Sequence, residues 1–329
     1  MPDPRPAPFV RHDARQFLDY LNSVAGPRTH ELQPEAARAM FAAMPAVADL
    51  PAGDLAVMRD LTVPGPAGPI AVRLFDTVEQ RQPGPAVLFF HGGGFVIGSV
   101  DTHSPACAEI ARVLSLPVIS VEYRLAPEHR WPAAPDDCEA AARWLAGSPT
   151  DLGLGVTGLV LMGDSAGGNL AIVTALTLRD RPAAVPVLVQ APLYPAADMA
   201  GTYPSFDEYA DGYLLTRDTM TWFADAYAAD LQHARTSPLR HDLAGMPPAV
   251  VITAGLDPIR DQGRAYAAAL AMAGVPVVFQ EAAGNVHGFL NLRRAIASSY
   301  GDVAAFLAAV KATIVSAEGA RMMAQAAGA

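Results

Sequence analysis

The stretch "GLVLMGDSAGGNLAIVTAL", Gly158 to Leu176, decides the fold. An apolar run of strand character, 158–162, ends at Met162, and small and apolar residues at helical spacing begin at Ala166. Between them Gly163, Ser165 and Gly167 spell G-x-S-x-G, a sharp strand-to-helix turn that presents a serine hydroxyl at the carboxyl end of the strand. A Gly-Ser-Gly turn can simply cap a helix, but its place at this junction favours the exposed serine. A helix amino terminus there also directs amide N–H groups and positive dipole toward the reacting oxygen.

Outward from that junction the pattern repeats. Apolar runs at 86–90, 117–121, 158–162, 187–190, 249–253 and 276–279 alternate with helical spacing over 104–115, 135–146, 166–180, 261–273 and 299–316. The alternation predicts an α/β fold, a mostly parallel central sheet covered by helices on both faces. Residues 55–75, with "VPGPAGPIAV" at their centre, predict a hairpin turned by Pro and Gly. Residues 1–50 read as helical, with Phe17, Leu18 and Leu21, then Ala37, Met40, Phe41 and Met44, on apolar faces. The interval from Leu193 to Pro248 is too long for a plain connection and is rich in aromatics. The expected organisation is therefore an amino-terminal cap, 1–50, and a main domain, 51–329, carrying a cap insertion at about 196–245. Together the two cap segments form a helical lid over the carboxyl ends of the strands, where open α/β sheets bind ligands.

Composition narrows the partners. The 329 residues include 33 acidic and 23 basic side chains, a net charge of −10, which argues against nucleic acid and against stable association with anionic membranes. A neutral or small partner is expected. Lysine occurs once, at Lys311, which fits nucleotide bias in the genome and carries no stability argument. Cys107 and Cys138 are too few for a disulfide framework and lack metal-ligand neighbours, so both are expected as buried free thiols. "MPDPRPAPFVRHD" lacks the apolar core of a signal peptide, and no stretch approaches about 18 uninterrupted apolar residues, so the expected location is cytoplasmic.

A serine hydroxyl needs a base. His12, His30, His233 and His241 fall in surface or lid segments, and His91, His103 and His129 precede the serine. His287, in "GNVHGFLNL", follows the last apolar run, as the chain order serine, acid, histidine requires. The carboxylate that would orient it is Asp257 or Asp261 in "AVVITAGLDPIRDQG"; Asp257, directly after the strand and held by Pro258, is preferred, because Asp261 opens the next helix. The glycine run of "LFFHGGGFVIG", Leu88 to Gly98, then has a use: side-chain-free amides at Gly92, Gly93 and Gly94, with that of Ala166, can crowd around a tetrahedral oxyanion. A phosphate cradle is excluded, because neither G-x-G-x-x-G before a helix nor G-x-x-x-x-G-K-[ST] occurs there.

Assembled, "HGGGF" at 91–95, "YRLAPEHRWPA" at 123–133, "GDSAGGNLA" at 163–171, "DPIRD" at 257–261 and "HGF" at 287–289 resemble the bacterial esterases of the hormone-sensitive lipase family (family IV), in the α/β-hydrolase superfamily. The resemblance implies a carboxylesterase of short- to medium-chain esters with the triad Ser165, Asp257 and His287, an oxyanion hole at Gly93, Gly94 and Ala166 with Gly92 beside them, and no cofactor or metal. It also implies a homodimer, for which the edge strand "VPVVFQEA" at 275–282 is the candidate contact. Gln262 departs from the glutamate common at that position, and "GNVHGF" varies the residues before the histidine. Phe95, Tyr194, Phe206, Tyr213 and Leu214 are candidates for the substrate pocket, and Arg124, Glu128 and His129 for a buried polar network under the glycines. A non-catalytic small-ligand receptor of the same fold, and an amidase or lactone hydrolase using the same machinery, are the alternatives.

Overall fold

The structure is a computed structural model that describes residues 7–327; residues 1–6 of the amino-terminal segment and 328–329 of the main domain lie outside the described residues. Two helices come first, α1 (His12–Ser23) and α2 (Pro34–Ala48), then the hairpin strands β1 (Val57–Gly65) and β2 (Gly68–Asp76). The alternating body follows: β3 (Gly84–Phe90), α3 (Val100–Leu114), β4 (Val118–Val121), α4 (Ala133–Ala146), β5 (Val156–Asp164), α5 (Ala166–Asp180) and β6 (Val187–Leu193). Helices α6 (Pro204–Glu208) and α7 (Arg217–Tyr227) occupy the insertion, and β7 (Ala249–Leu256), α8 (Arg260–Met272), β8 (Val277–Val286) and α9 (Ser299–Ala327) complete the chain.

The strands form one eight-stranded sheet in the order β1-β2-β4-β3-β5-β6-β7-β8. β2 is antiparallel to both its neighbours, and every pairing from β4 to β8 is parallel. The period of two in β3 divides its side chains between two cores. Leu88 and Phe90 face α4, α5 and α8, among Leu145, Leu170 and Tyr266. Val87 and Phe89 face α3 and α9, among Ile110, Phe306 and Val310. Burial on both faces is why the central strands read as unbroken apolar runs rather than alternations.

Two boundaries differ from expectation. β8 runs on to Val286, because Ala282 and Val286 are buried while Ala283, Gly284 and Asn285 between them are small or polar and hide the run. α9 continues eleven residues beyond 316 to Ala327; the buried stripe Val303, Phe306, Leu307, Val310, Ile314 ends there, and good helix formers with an Arg321–Glu318 ion pair carry the rest. By length and composition alone, Ser299–Ala324 could cross a membrane, although polar residues interrupt its apolar run. In the fold its apolar stripe packs on α3 and the sheet, and Lys311 Nζ donates to the Val113 carbonyl.

The amino-terminal helices are fastened by charge. Arg11 makes a two-pronged contact with Asp302 at 2.6 and 2.9 Å, and Asp13 accepts from the Ser298 amide at 2.8 Å. Behind α2, Asp49 receives two Arg293 donors at 2.7 and 2.9 Å, both side chains being fully buried. Breaking a buried pair from one side leaves the other charge uncompensated at a cost of about 3–5 kcal/mol, whereas replacing both partners with apolar groups is often neutral. Arg293→Met is therefore expected to lower the urea unfolding midpoint by that equivalent, and the double variant R293M/D49L to recover most of it; equal midpoints for R293M and the parent would refute the role.

Candidate active site

At the end of β5 the chain turns sharply. Ser165 sits at φ 56° and ψ −117°, outside the ordinary regions for an L-residue. The turn is possible because its neighbours lack side chains: a β-carbon on Gly163 would strike the Gly167 carbonyl, and one on Gly167 would strike the carbonyl of Phe90 at the end of β3. The Ser165 amide donates to the Leu193 carbonyl at 2.9 Å, fixing the turn to β6. Asn169, one turn into α5, donates to the carbonyls of Ala196 and Thr236 at 2.7 and 2.9 Å and so ties the insertion to the same turn.

Three segments meet there. His287 Nε2 lies 2.8 Å from Ser165 Oγ, and His287 Nδ1 lies 2.7 Å from Asp257 Oδ2. The other oxygen of Asp257 accepts the Ile259 amide at 2.9 Å, and the side chain is fully buried. A carboxylate facing Nδ1 assigns the proton to that nitrogen and leaves the Nε2 lone pair facing the serine hydroxyl. Asp261 is turned away: it engages Arg260 and Arg264 and accepts the Ser205 amide at 3.1 Å, an anchor for α6. Burial opposes its ionisation, but those donors outweigh burial and hold its carboxyl below the usual range.

The glycine loop contributes amides. Gly93 and Gly94 adopt φ 120° and 60°, and a β-carbon would strike the Ile97 carbonyl at Gly93 and the Phe223 ring at Gly94. The amides of Gly93, Gly94 and Ala166 engage no acceptor among the described residues. Gly92 is a correction, because its amide donates to Asp164 Oδ1 at 2.7 Å and is not free for a ligand.

A cavity of about 600 Å³ opens over Ser165 and His287. Phe95, Phe206 and Leu214 line it, as expected, with Phe95 held at φ 64° and its ring stacked on Tyr227 at 3.9 Å. Two expected lining residues do not. Tyr194 is buried beneath the site, its ring 4.8 Å from the His287 ring and its hydroxyl accepting the Leu290 amide at 3.3 Å. Tyr213 packs edge-on against Tyr209 in the cluster beneath α1, because the turn at Leu214 directs only the leucine inward. Unforeseen as lining are Met40, Phe41 and Met44 of α2 and Met220 and Phe223 of α7. Their helical spacing is visible in the sequence, but the same stripe describes an ordinary core face.

The "YRLAPEHRWPA" segment also departs from one buried network. Arg124 pairs with Asp137 at 2.8 Å. Glu128 is exposed and grips Arg38 of α2, which also donates to the carbonyls of Val96 and Ala126. His129 is exposed. The motif thus ties the amino-terminal cap to the loop after the glycines.

Residues 87–291 match a family model described as the alpha/beta hydrolase fold. Esterase LipI of Mycobacterium tuberculosis is 40% identical over 238 residues, covering 70% of this chain and 74% of that protein. Ethyl acetate hydrolase of Pseudomonas putida is 38% identical over 271 residues, 80% of this chain and 85% of that one. Among solved structures, an α/β-hydrolase enzyme from the metagenome of Lake Arreo superposes with a TM-score of 0.87 at 34% identity, covering 92% of this chain and 98% of that one. The chain belongs to the α/β-hydrolase family, in its hormone-sensitive lipase branch. Within that class it is a carboxylic ester hydrolase.

The Gly94 contact yields a test. Gly94→Ala must displace Phe223 and with it α7, and is expected to lower kcat/KM for a nitrophenyl ester by about tenfold or more, since small misplacements in an active site can cost about 100-fold. G94A/F223A should regain part of that loss. No regain would mean that backbone strain at φ 60°, not the ring, causes the defect.

Proposed function

We propose that Ser165 is the nucleophile of a carboxylesterase acting on short- to medium-chain esters, with His287 as base, Asp257 as its orienter, and the amides of Gly93, Gly94 and Ala166 as the oxyanion hole. The observation that carries this reading is the line Asp257–His287–Ser165, with contacts of 2.7 and 2.8 Å, ending beside three unengaged amides. As Ser165 Oγ bonds to the ester carbonyl carbon, its proton passes to His287 Nε2 and the carbonyl oxygen becomes the oxyanion. Collapse expels the alcohol, which takes the proton from His287. Water, deprotonated by the same nitrogen, then releases the acid and regenerates the serine. Each oxyanion donor contributes about 100- to 1000-fold to turnover.

The acyl-length preference rests on the cavity of about 600 Å³, walled by apolar residues of α2 and α7, and on the similarity to an ethyl acetate hydrolase. We further propose cytoplasmic location and a homodimer. The first is supported by Cys107 and Cys138, both buried and unpaired, and the second by β8, whose outer edge pairs with no strand among the described residues and exposes Val278 and Phe279.

Ser165→Ala is expected to abolish hydrolysis of nitrophenyl acetate with the unfolding midpoint unchanged; turnover that survives the substitution sinks the assignment. Across a nitrophenyl series, kcat/KM should peak between acetate and octanoate and fall by about tenfold or more for palmitate, whose chain exceeds a cavity of drug-ligand size. A palmitate optimum would overturn the chain-length reading alone.

A further inference from the structure

Next to the triad lies a carboxylate that the reaction as written does not use. Asp164 ends β5, immediately before Ser165, and is almost fully buried. Its Oδ1 accepts the Gly92 amide at 2.7 Å, and a β-carbon on Gly92 would lie only 2.5 Å from Oδ2, so the two are in intimate contact. The His103 ring of α3, itself fully buried, brings Nε2 to 3.2 Å from the same Oδ1, somewhat off the ideal hydrogen-bond line. Nδ1 of that ring meets Thr102 Oγ1 at 2.8 Å, and Thr102 is locked into the start of α3 by its bonds with Ser99. On its far side the Asp164 charge acts on Tyr194, whose hydroxyl burial and that charge push up and whose ring lies 4.8 Å from that of His287.

We propose that Asp164 and His103 form a second buried carboxylate–imidazole pair that acts as a positioning unit, fixing the Gly92 peptide so that the Gly93 and Gly94 amides face the oxyanion. This rests on the proposed function, because it deepens the role given there to the glycine loop. The geometry explains why a glycine amide at the loop's root is spent on a carboxylate. Fixing the Gly92 peptide plane removes the freedom of the next two, and preorganised donors stabilise developing charge only if they need not reorient.

Burial opposes ionisation of Asp164, but His103 and the Gly92 amide prevail and hold its carboxyl below the usual range. The group is thus an anion in a dry site, and the ring of His103 is what accompanies it. His91, the other imidazole nearby, 5.6 Å from His103 between ring centres, is pushed down to about 3 by its own burial and by His103. It stays neutral and bonds within the loop, to the Gly92 carbonyl at 2.9 Å. Glu122, at the root of α3, accepts the Val100 amide at 2.8 Å, and its carboxyl is raised by burial despite the opposing influence of that amide and of His103.

The test uses His103→Asn, Asp164→Asn and the double variant, assayed on nitrophenyl acetate. Active sites are counted by the acylation burst, and oxyanion affinity is read from inhibition by a short-chain trifluoromethyl ketone. H103N and D164N are each expected to lower kcat per counted site by about 10- to 100-fold, with KM within about threefold, and to weaken the ketone by a matching factor. The double variant should be no worse than the poorer single, since both act through one peptide. A support that is merely structural would reduce the number of counted sites and the unfolding midpoint while leaving kcat per site and ketone affinity intact, and that result overturns the proposal. If H103N does not fold, D164N, which keeps the carboxylate's shape, decides alone: unchanged ketone affinity overturns it, and a matched loss of kcat and affinity supports it. Failure here with S165A still inactive leaves the esterase reading standing; activity in S165A removes both.

Discussion

The arrangement depends on one close approach, that of the first turn of α5 to the end of β3. With no side chain at Gly167, the helix amino terminus comes within contact of the Phe90 carbonyl. The glycine loop begins one residue later, at His91, so the same contact that permits the turn at Ser165 also fixes how far the loop stands from the nucleophile. A nucleophile and an oxyanion hole built on separate segments would ordinarily have to be brought into register by many weak contacts. Here the register is set by van der Waals exclusion between two backbones, the stiffest restraint a packed interior offers.

Charge is handled by the same economy of distance. The chain is acidic overall, at −10, and places Asp49, Asp164 and Asp257 in almost complete burial. A lone buried carboxylate is costly, so each is satisfied differently. Asp49 has a guanidinium from the segment after His287, Asp257 has an imidazole and a backbone amide, and Asp164 has an imidazole and the Gly92 amide. The ring that faces Asp257 also faces Ser165 Oγ. The ring beside Asp164 has no such second partner: its other nitrogen meets a threonine already committed to capping a helix. On the proposed reading, chemically similar pairs are thereby divided between proton transfer and support.

The sheet and its crossover helices were legible because both faces of the central strands are buried, so strand and helix periods alternate plainly along the chain. Ser165, Asp257 and His287 stand out in the sequence because each lies where an apolar run breaks into a loop, and the structure brings the three side chains together. Gly92 was misassigned for a reason no local pattern reveals, since three successive glycines look alike until the partner of each amide is known. Tyr194 and Tyr213 were misassigned because an aromatic residue near a strand end can point into a cavity or under it, and the choice is set by backbone φ and by neighbours distant in sequence. The far half of α9 escaped notice because its helicity rests on propensity and one ion pair, not on a buried stripe.

The cap shows how far such legibility extends. Its two halves, before β1 and after β6, are separated by more than 150 residues, and each alone has only an apolar stripe that could belong to any core. What makes them one structure is attachment to the same loops that bear the chemistry. Arg38 of α2 binds the carbonyl of Val96, just after the glycines, and that of Ala126, after β4, Asp49 is paired behind the His287 loop, Ser205 of α6 bonds Asp261 and Pro258, and Phe223 of α7 lies on Gly94. Both helical segments are thus fastened to the loops around Ser165 and His287, and among the side chains they add to the cavity wall the unbranched methionines Met40, Met44 and Met220 are the most adaptable.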